Sequence, residues 1–179
     1  MPKSLPLNQQ VTSPFLNSIS VAIKREDLIH PFVSGNKFRK LKYNLLQAKT
    51  EHFETLLTFG GAFSNHIAAV AFAGKEKGFK TIGIIRGDEL GSKIAENPTL
   101  AFAQNCGMQL EFISREEYRL KSEASFLEKL KQQFGDFYLI PEGGTNALAI
   151  KGCQEILTPE DAEFDYICCS IGTGGTISG

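Results

Sequence analysis

The chain has 179 residues, a formal net charge of -1 at pH 7, and a composition that is 42% hydrophobic and 22% charged. This is an ordinary composition for a soluble globular protein, and the near-neutral charge argues against a general nucleic-acid binder. No apolar run approaches the roughly 18 residues that a membrane span needs, and residues 1–20 lack the apolar core of a secretory signal. The length allows one large domain or two small ones.

Strand and helix patterns alternate along the chain after an extended or poorly ordered lead-in over residues 1–18. The predicted strands are a short alternating segment at Ile19, Val21 and Ile23, followed by 55–59, 81–85, 108–113, 137–140 and 166–170. The predicted helices are 37–49, 65–77, 98–105, one long helix from the cap at Ser114 to about 134, 147–157, and a helix start after 176. Strands that alternate with helices through short loops indicate an α/β fold with mostly parallel sheets.

The four cysteines are Cys106, Cys153, Cys168 and Cys169, and none of them has C-x-x-C spacing. We expect buried free thiols in a reducing compartment, which favours the cytoplasm. The chain stops at Gly179, inside a glycine-rich segment, so we expect it to be the first part of a longer protein.

The segment Ser-Gly-Asn-Lys-Phe-Arg-Lys-Leu-Lys-Tyr at 34–43 combines a turn with the start of a helix. Four cations crowd the first turns of this helix, where the helix dipole already disfavours positive charge. A lysine such as Lys37, held near Lys40 and a helix N-terminus, has its protonated form disfavoured. A deprotonated amine is a nucleophile toward carbonyls, and the other cations attract an anionic cofactor or substrate. The alternative is a solvated basic helix start.

Three loops follow predicted strands, at 60–66, 142–146 and 172–176, where parallel sheets bind their ligands. Gly172-Thr173-Gly174-Gly175-Thr176 can close backbone N–H groups and two hydroxyls around a phosphate. It lacks the endings of the P-loop and of the dinucleotide fingerprint, and the alternative is a tight strand–helix turn.

The loop at 60–66 ends in Ser64, Asn65 and His66. Ser64 or Asn65 would cap the next helix and could offer N–H and hydroxyl groups to a carboxylate or a ring oxygen, although an ordinary cap is the alternative. His66 is a possible acid or base, but a single histidine is more often structural. An amine nucleophile, a phosphate cradle and polar caps around one cleft fit a phosphorylated aldehyde cofactor held by a lysine imine.

The segments at 34–41, 60–66, 141–146 and 172–176 together resemble the pyridoxal-phosphate enzymes grouped as 1-aminocyclopropane-1-carboxylate deaminase and D-cysteine desulfhydrase. This group has the tryptophan-synthase-β-like fold, and the resemblance spans residues 21–179. It implies two open, mostly parallel α/β domains with the cofactor cleft between them. Residues 51–144 would form the smaller domain, and 1–50 with 145–179 would belong to the larger one. It also implies a homodimer that acts on a small amino acid, without nucleic-acid or membrane partners.

The resemblance implies a role for each motif. Lys37 would carry the cofactor and move the substrate proton, while Asn65 would bond the phenolic oxygen of the cofactor. Ser64, with Asn65 and His66, would hold the substrate or assist proton transfer. The residues Gly172, Thr173, Gly174, Gly175 and Thr176 would hold the phosphate, with Lys40 close by.

The chain departs from the family pattern at three positions. Phe38 stands where many members have threonine, Lys42 where many have glutamate, and His66 where the deaminases have glutamine. These departures favour an unassigned or D-cysteine desulfhydrase-like member, with β-elimination to a keto acid and ammonia, over true ring opening of the cyclopropane substrate. The alternatives are a serine or threonine dehydratase or a racemase of the same fold, a non-catalytic binding protein, and a structural domain.

Overall fold

Two nearly continuous apolar segments, Thr55–Gly60 (β3) and Lys80–Arg86 (β4), form the buried centre of the fold. The computed structural model describes residues 7–179. In it, β3 and β4 pair in parallel, and Gln109–Ile113 (β5) and Tyr138–Ile140 (β6) extend the sheet to the order β5-β4-β3-β6. All four strands are parallel, as the alternation of strands and helices predicted, because parallel neighbours require a crossover connection.

Helices connect these strands and cover both faces of the sheet. They are Asn36–Thr50 (α1), Asn65–Lys77 (α2), Pro98–Asn105 (α3), Arg115–Arg119 (α4), Ala124–Phe134 (α5) and Ala147–Cys153 (α6). Short 3-10 segments lie at Glu26–Leu28, Asp88–Glu96, Glu142–Gly144 and Pro159–Glu163. The start of α2 is capped by Ser64, whose hydroxyl accepts the Ile67 N–H, and its end is set by Gly78 in the left-handed conformation.

Helix α1 packs closely against α6, and this contact connects the lysine-rich helix to the segment after β6. A Cβ atom at Gly152 would lie 2.0 Å from the Arg39 carbonyl oxygen, so the two backbones meet where only glycine fits. Next to this contact, the amides of Asn44 and Asn146 pair, with Asn146 Nδ2 2.7 Å from Asn44 Oδ1. Asn44 is fully buried, so this polar pair fixes the position of α6 against α1.

The lead-in predicted for residues 1–18 contains a strand. Asn8–Gln10 (β1) pairs antiparallel with Ala22–Lys24 (β2). Strand β2 begins later than the strand predicted from Ile19, Val21 and Ile23, and Ile19 is exposed. Residues 1–6 of the predicted lead-in lie outside the described residues. Lys24 on β2 pairs with Asp161 at 2.7 Å, which ties this hairpin to the Pro159–Glu163 turn.

The single long helix predicted from Ser114 to about 134 is wrong, because the chain forms α4 and α5 with a break between them. Tyr118, Phe126 and Leu130 belong to one buried cluster on the sheet. On an unbroken helix, Tyr118 and Leu130 would point about 120° apart, at 100° per residue. The break turns both side chains toward the same face of the sheet.

The strand predicted at 166–170 is also wrong in this structure, since no residue between 164 and 171 pairs with another strand of the described chain. Without a partner strand these residues are exposed, including Cys168 and Cys169, so the expectation of four buried thiols holds fully only for Cys153. The helix predicted after 176 is a run of turns, and α6 ends at Cys153 rather than at 157. Across residues 7–179, no helix is both long enough and apolar enough for a membrane span.

Candidate active site

The first two turns of α1 carry the two lysines that the sequence singled out. Lys37 is partly buried, and Lys40 is almost fully buried, with 2% of its surface exposed. The structure brings the two amines together, because Lys37 Nζ lies 3.1 Å and Lys40 Nζ 3.5 Å from the same carbonyl oxygen, that of Gly143. The other two cations of these first turns point elsewhere, Arg39 to Glu26 and Lys42 to Glu155.

Burial and the neighbouring charge change the chemistry of the Lys37 amine. Burial first, and then the positive charge of Lys40, lowers the pKa of Lys37 from 10.5 to about 8. Burial also lowers the pKa of Lys40. The sequence predicted a disfavoured ammonium at this position from the helix dipole and neighbouring cations, whereas the structure shows that burial is the largest cause. A larger fraction of Lys37 is therefore nucleophilic near neutral pH than of an ordinary lysine.

The carbonyl that holds both amines belongs to a tight turn after β6. Gly143 and Gly144 both have positive φ, at 68° and 73°, which glycine adopts without strain. The next residue, Thr145, accepts a hydrogen bond from Lys40 at 3.2 Å and shares one with Thr173 at 2.7 Å. From the sequence, this loop alone was a weak signal. Its role as the partner of both lysines was not predicted, and the Gly-Gly-Thr run after a strand is the feature that could have indicated it.

The Gly172–Thr176 segment closes the other side of the lysine pair. A cavity of about 240 Å³ lies between α1 and this segment, lined by Asn36, Lys37 and Lys40 and by residues 170–174, 176 and 177. Asn36 at the start of α1 donates a hydrogen bond to the Thr176 hydroxyl at 2.8 Å, a contact that the sequence did not predict. A cavity of about 360 Å³ beside α5 contains none of the predicted site residues.

Gly175 shows how tightly this segment fits. A Cβ atom there would lie 2.6 Å from Thr145 Cγ2 and 3.1 Å from Lys40 Nζ. The bare backbone of Gly175 therefore comes close to the buried cation and the neighbouring hydroxyl. Backbone N–H groups, hydroxyls and an ammonium group are the donors that bind phosphate.

The three polar residues after β3 lie in different surroundings. Ser64 is partly buried and caps α2, as predicted, while Asn65 at the start of the helix is exposed. His66 is buried, with 2% of its surface exposed, and its Nε2 lies 2.8 Å from Thr58 Oγ1. Within residues 7–179, none of the three makes a hydrogen bond to Lys37 or Lys40. The contact of His66 with substrate stays a prediction, and the structure places the ring inside the protein.

Comparisons with known proteins agree with this geometry. A family model described as pyridoxal-phosphate-dependent enzyme matches residues 6–179. The chain belongs to this family. A putative 1-aminocyclopropane-1-carboxylate deaminase of Thermotoga maritima is 35% identical over 167 residues, which cover 89% of this chain and 52% of the relative. The mitochondrial bifunctional D-cysteine desulfhydrase/1-aminocyclopropane-1-carboxylate deaminase of Arabidopsis thaliana is 35% identical over 180 residues, which cover 91% of this chain and 44% of the relative.

A solved structure gives the same result for the fold. The crystal structure of a homologue of that deaminase superposes with a TM-score of 0.76 at 27% identity and covers 98% of this chain and 56% of the other. The predicted family and the predicted α/β fold class are therefore confirmed. The chain spans about half the length of the relatives it matches.

The residues of this chain fit the cofactor of the pyridoxal-phosphate family. Its aldehyde requires a reactive amine, and Lys37 supplies one with a pKa of about 8. Its phosphate requires a cradle of donors, and the Gly172–Thr176 backbone, Thr145 and Lys40 meet at the narrow contact around Gly175. Among the described residues, no group of acidic, cysteine or histidine side chains is arranged to hold a metal ion.

Proposed function

We propose that this chain forms the lysine-bearing part of a pyridoxal-phosphate-dependent lyase or deaminase that acts on a small amino acid. The products would be a keto acid and ammonia, from β-elimination of the D-cysteine desulfhydrase type or from ring opening of the cyclopropane amino acid. The observation that carries the proposal is the Lys37 amine, which is partly buried beside Lys40, has a lowered pKa and faces the glycine-rich cavity.

Lys37 would have two tasks in this reaction. When bound, the cofactor supplies an electron sink that takes up the electron pair of the bond broken at the substrate Cα. The Nζ atom of Lys37 would first hold the cofactor and then, once free, accept the Cα proton of an elimination substrate such as D-cysteine, for which a pKa near the working pH is best. The cyclopropane amino acid has no Cα proton, so this second task belongs to elimination. The Gly143 carbonyl, 3.1 Å from Nζ, orients the free amine.

The surrounding groups would bind the two anions of the complex. Lys40, which Thr145 positions, would lie close to the phosphate, while the Gly172–Thr176 segment would supply backbone N–H groups. Ser64 and the N-terminus of α2 would bind the substrate carboxylate, and Asn65 would bond the phenolic oxygen of the cofactor. The exposure of Asn65 supports this role, because its amide is not used by other residues of the described chain.

The choice between elimination and ring opening is a matter of products. The natural protein is assayed with D-cysteine, with D-serine and with 1-aminocyclopropane-1-carboxylate, and sulfide, ammonia and keto acid are measured. The proposal predicts ammonia with at least one of these substrates, and sulfide with D-cysteine if the departures at Phe38, Lys42 and His66 favour elimination. Exchange of the Cα proton with solvent deuterium, without ammonia, would indicate a racemase, and neither product nor exchange would indicate a binding protein.

We further propose a cytoplasmic homodimer in which residues 51–144 form the smaller domain. The four parallel strands between residues 55 and 140 support this division, because they form one sheet with their connecting helices. Light scattering after size-exclusion chromatography would test the dimer, since it gives the mass independently of shape.

A further inference from the structure

We propose that His66 is a positioning residue: as the tautomer protonated on Nε2, its ring holds the Glu142–Gly144 turn in place against the amine of Lys37. The inference deepens the proposed function, on which it rests, by adding a group that touches neither substrate nor cofactor. Three features support it: the hydrogen bonds of Thr58, the packing of Gly144 against the ring, and the short backbone segment between the ring and Lys37.

Counting hydrogen atoms assigns the tautomer. A threonine hydroxyl has one hydrogen to donate, and a carbonyl oxygen only accepts. Thr58 Oγ1 lies 2.8 Å from the Ile140 carbonyl oxygen and 2.8 Å from His66 Nε2. The hydroxyl therefore donates to Ile140 and accepts from Nε2–H, which leaves the lone pair of the ring on Nδ1. This chain of two bonds connects β3, the start of α2 and the end of β6, directly before the turn.

The other edge of the ring contacts the turn itself. A Cβ atom at Gly144 would lie 3.0 Å from His66 Cε1, 3.4 Å from Nδ1 and 3.6 Å from Lys40 Cβ. Gly144 thus fits between the imidazole and the side chain of Lys40, and a Cβ atom there would require the ring or the turn to shift by a few tenths of an ångström. The preceding carbonyl, that of Gly143, binds the amine of Lys37. The ring and the catalytic amine are therefore separated by one short piece of tightly packed backbone.

The charge state of the ring is consistent with this role. Burial first, and then the charges of Lys37 and Lys40, lower the pKa of His66 to about 3, so that the ring is neutral at working pH. A neutral ring adds no third cation beside the two lysines. Its Nδ1 is buried and has no well-aligned hydrogen-bond partner in the part of the chain that the structure describes, although the Pro141 carbonyl is near enough to the ring to raise its pKa. A buried polar atom without a full hydrogen bond costs stability, and a role in the site is one explanation for its presence.

The test measures the amine of Lys37 rather than turnover. The full-length natural protein, cleared of cofactor with hydroxylamine, receives a pulse of acetic anhydride at each pH from 6 to 11, and mass spectrometry quantifies acetylation of Lys37 against the exposed Lys80. His66→Leu removes the donor at nearly the same volume, and His66→Gln retains an N–H that can reach Thr58. Circular dichroism confirms that each variant is folded.

The proposal predicts that Lys37 acetylation, plotted against pH, has its midpoint near pH 8 in the wild type and in His66→Gln. In His66→Leu the turn loosens and water reaches the amine, so the midpoint rises by about one unit and the unprotonated fraction at pH 7 falls about tenfold. Equal midpoints in all three proteins, or an equal rise in both variants, would overturn the proposal. Because the acetylation of Lys37 is measured without cofactor or substrate, an absence of enzymatic activity would count against the proposed function and not against the positioning role of His66.

Two further measurements decide the matter if His66→Leu does not fold. Gly144→Ala inserts a methyl group between the ring and the turn and should raise the Lys37 midpoint in the same direction, whereas an unchanged midpoint would contradict the proposal. Nitrogen NMR of the wild type should show His66 protonated on Nε2 and not on Nδ1 between pH 6 and 9. A ring protonated on Nδ1 in that range would overturn the assignment.

Discussion

The amine of Lys37 lies 3.1 Å from the carbonyl oxygen of Gly143, although 106 positions separate the two residues in the chain. This contact joins the first turn of α1 to the turn after β6, and so brings two of the motifs in the sequence to one point. A carbonyl can accept a hydrogen bond from the ammonium or from the neutral amine, so it orients Lys37 in either protonation state.

Replacing Lys37 with alanine should abolish turnover and leave the fold intact. Only one hydrogen bond, to a backbone carbonyl, is lost, so the thermal midpoint should change by no more than a few degrees. Ammonia release is the measurement. Lys49→Ala is the matched control on the same helix, because Lys49 lies in its last turn and is exposed. Turnover that survives in Lys37→Ala would contradict the assignment.

The stability of the protein should rise with pH between about 8 and 10.5 because of Lys37. Its pKa is lowered to about 8 in the folded state from 10.5, so within this window the unfolded chain binds the proton and the folded chain does not. Below pH 8 both states carry the proton, and the cost of burying the charge is fully present. Denaturant unfolding of the cofactor-free protein at pH 7.5 and 10 should show this gain, and Lys37→Met should reduce it. An equal pH dependence in both proteins would show that Lys37 titrates normally.

Gly175→Ala should weaken binding of pyridoxal phosphate by about tenfold or more, equivalent to about 1.4 kcal/mol. The added methyl group would lie 2.6 Å from Thr145 Cγ2 and 3.1 Å from Lys40 Nζ, so the loop and the buried cation must separate. Equilibrium titration followed by absorbance measures the affinity. Gly91→Ala serves as the control, because its methyl group would meet Phe112 at an ordinary 3.5 Å. Equal affinities in the two variants would exclude the predicted cradle.

Asp161→Asn should destabilise the protein by about 2 kcal/mol, because it leaves the Lys24 ammonium without its partner. Asp161 accepts hydrogen bonds from Lys24 at 2.7 Å and from Asn8 at 2.8 Å, and it is 5% exposed. Burial alone would raise the pKa of this carboxyl, but hydrogen bonds from Lys24, the Thr158 N–H and Asn8 hold it well below its usual range.

This stabilisation is present above the pKa of the unfolded carboxyl, about 3.9, and is lost as the pH falls below it. Thermal unfolding between pH 7 and 3 should therefore show a steeper loss in the wild type than in Asp161→Asn. Asp27→Asn, which changes a surface pair with Arg25, should follow the wild type. A wild type that loses no more stability toward pH 3 than Asp161→Asn would refute the buried role of this carboxylate.

Local signals predicted the central part of the fold. Ser64 as a cap and Gly78 as a stop fix both ends of α2, and the apolar runs of β3 and β4 have the length of buried strands. Long-range packing decided the errors. The break between α4 and α5 arises because Tyr118 and Leu130 pack on the same sheet, and the apolar segment at 166–170 forms no strand because it lacks a neighbouring strand in the described chain.

The site was predictable in its residue types and not in its contacts. The crowded cations at the start of α1 indicated a perturbed lysine, since charge and helix dipole act locally. The contact of Lys40 with Thr145 and the bond from His66 to Thr58 depend on how β3, α2 and the turn after β6 pack together. No short-range pattern encodes that packing, which buries the ring of His66, a residue that the sequence offered as a substrate contact.

Whether Lys37 carries the cofactor is tested most directly by reducing the purified natural protein with borohydride and locating the attached pyridoxyl group by peptide mapping. We expect a visible absorbance that disappears on reduction, with the label on Lys37 and none on Lys40, because Lys37 faces the cavity with a pKa of about 8, whereas the Lys40 side chain is almost fully buried. A label on Lys40 or on any other lysine, or a full-length protein that stays colourless with added pyridoxal phosphate, would contradict it.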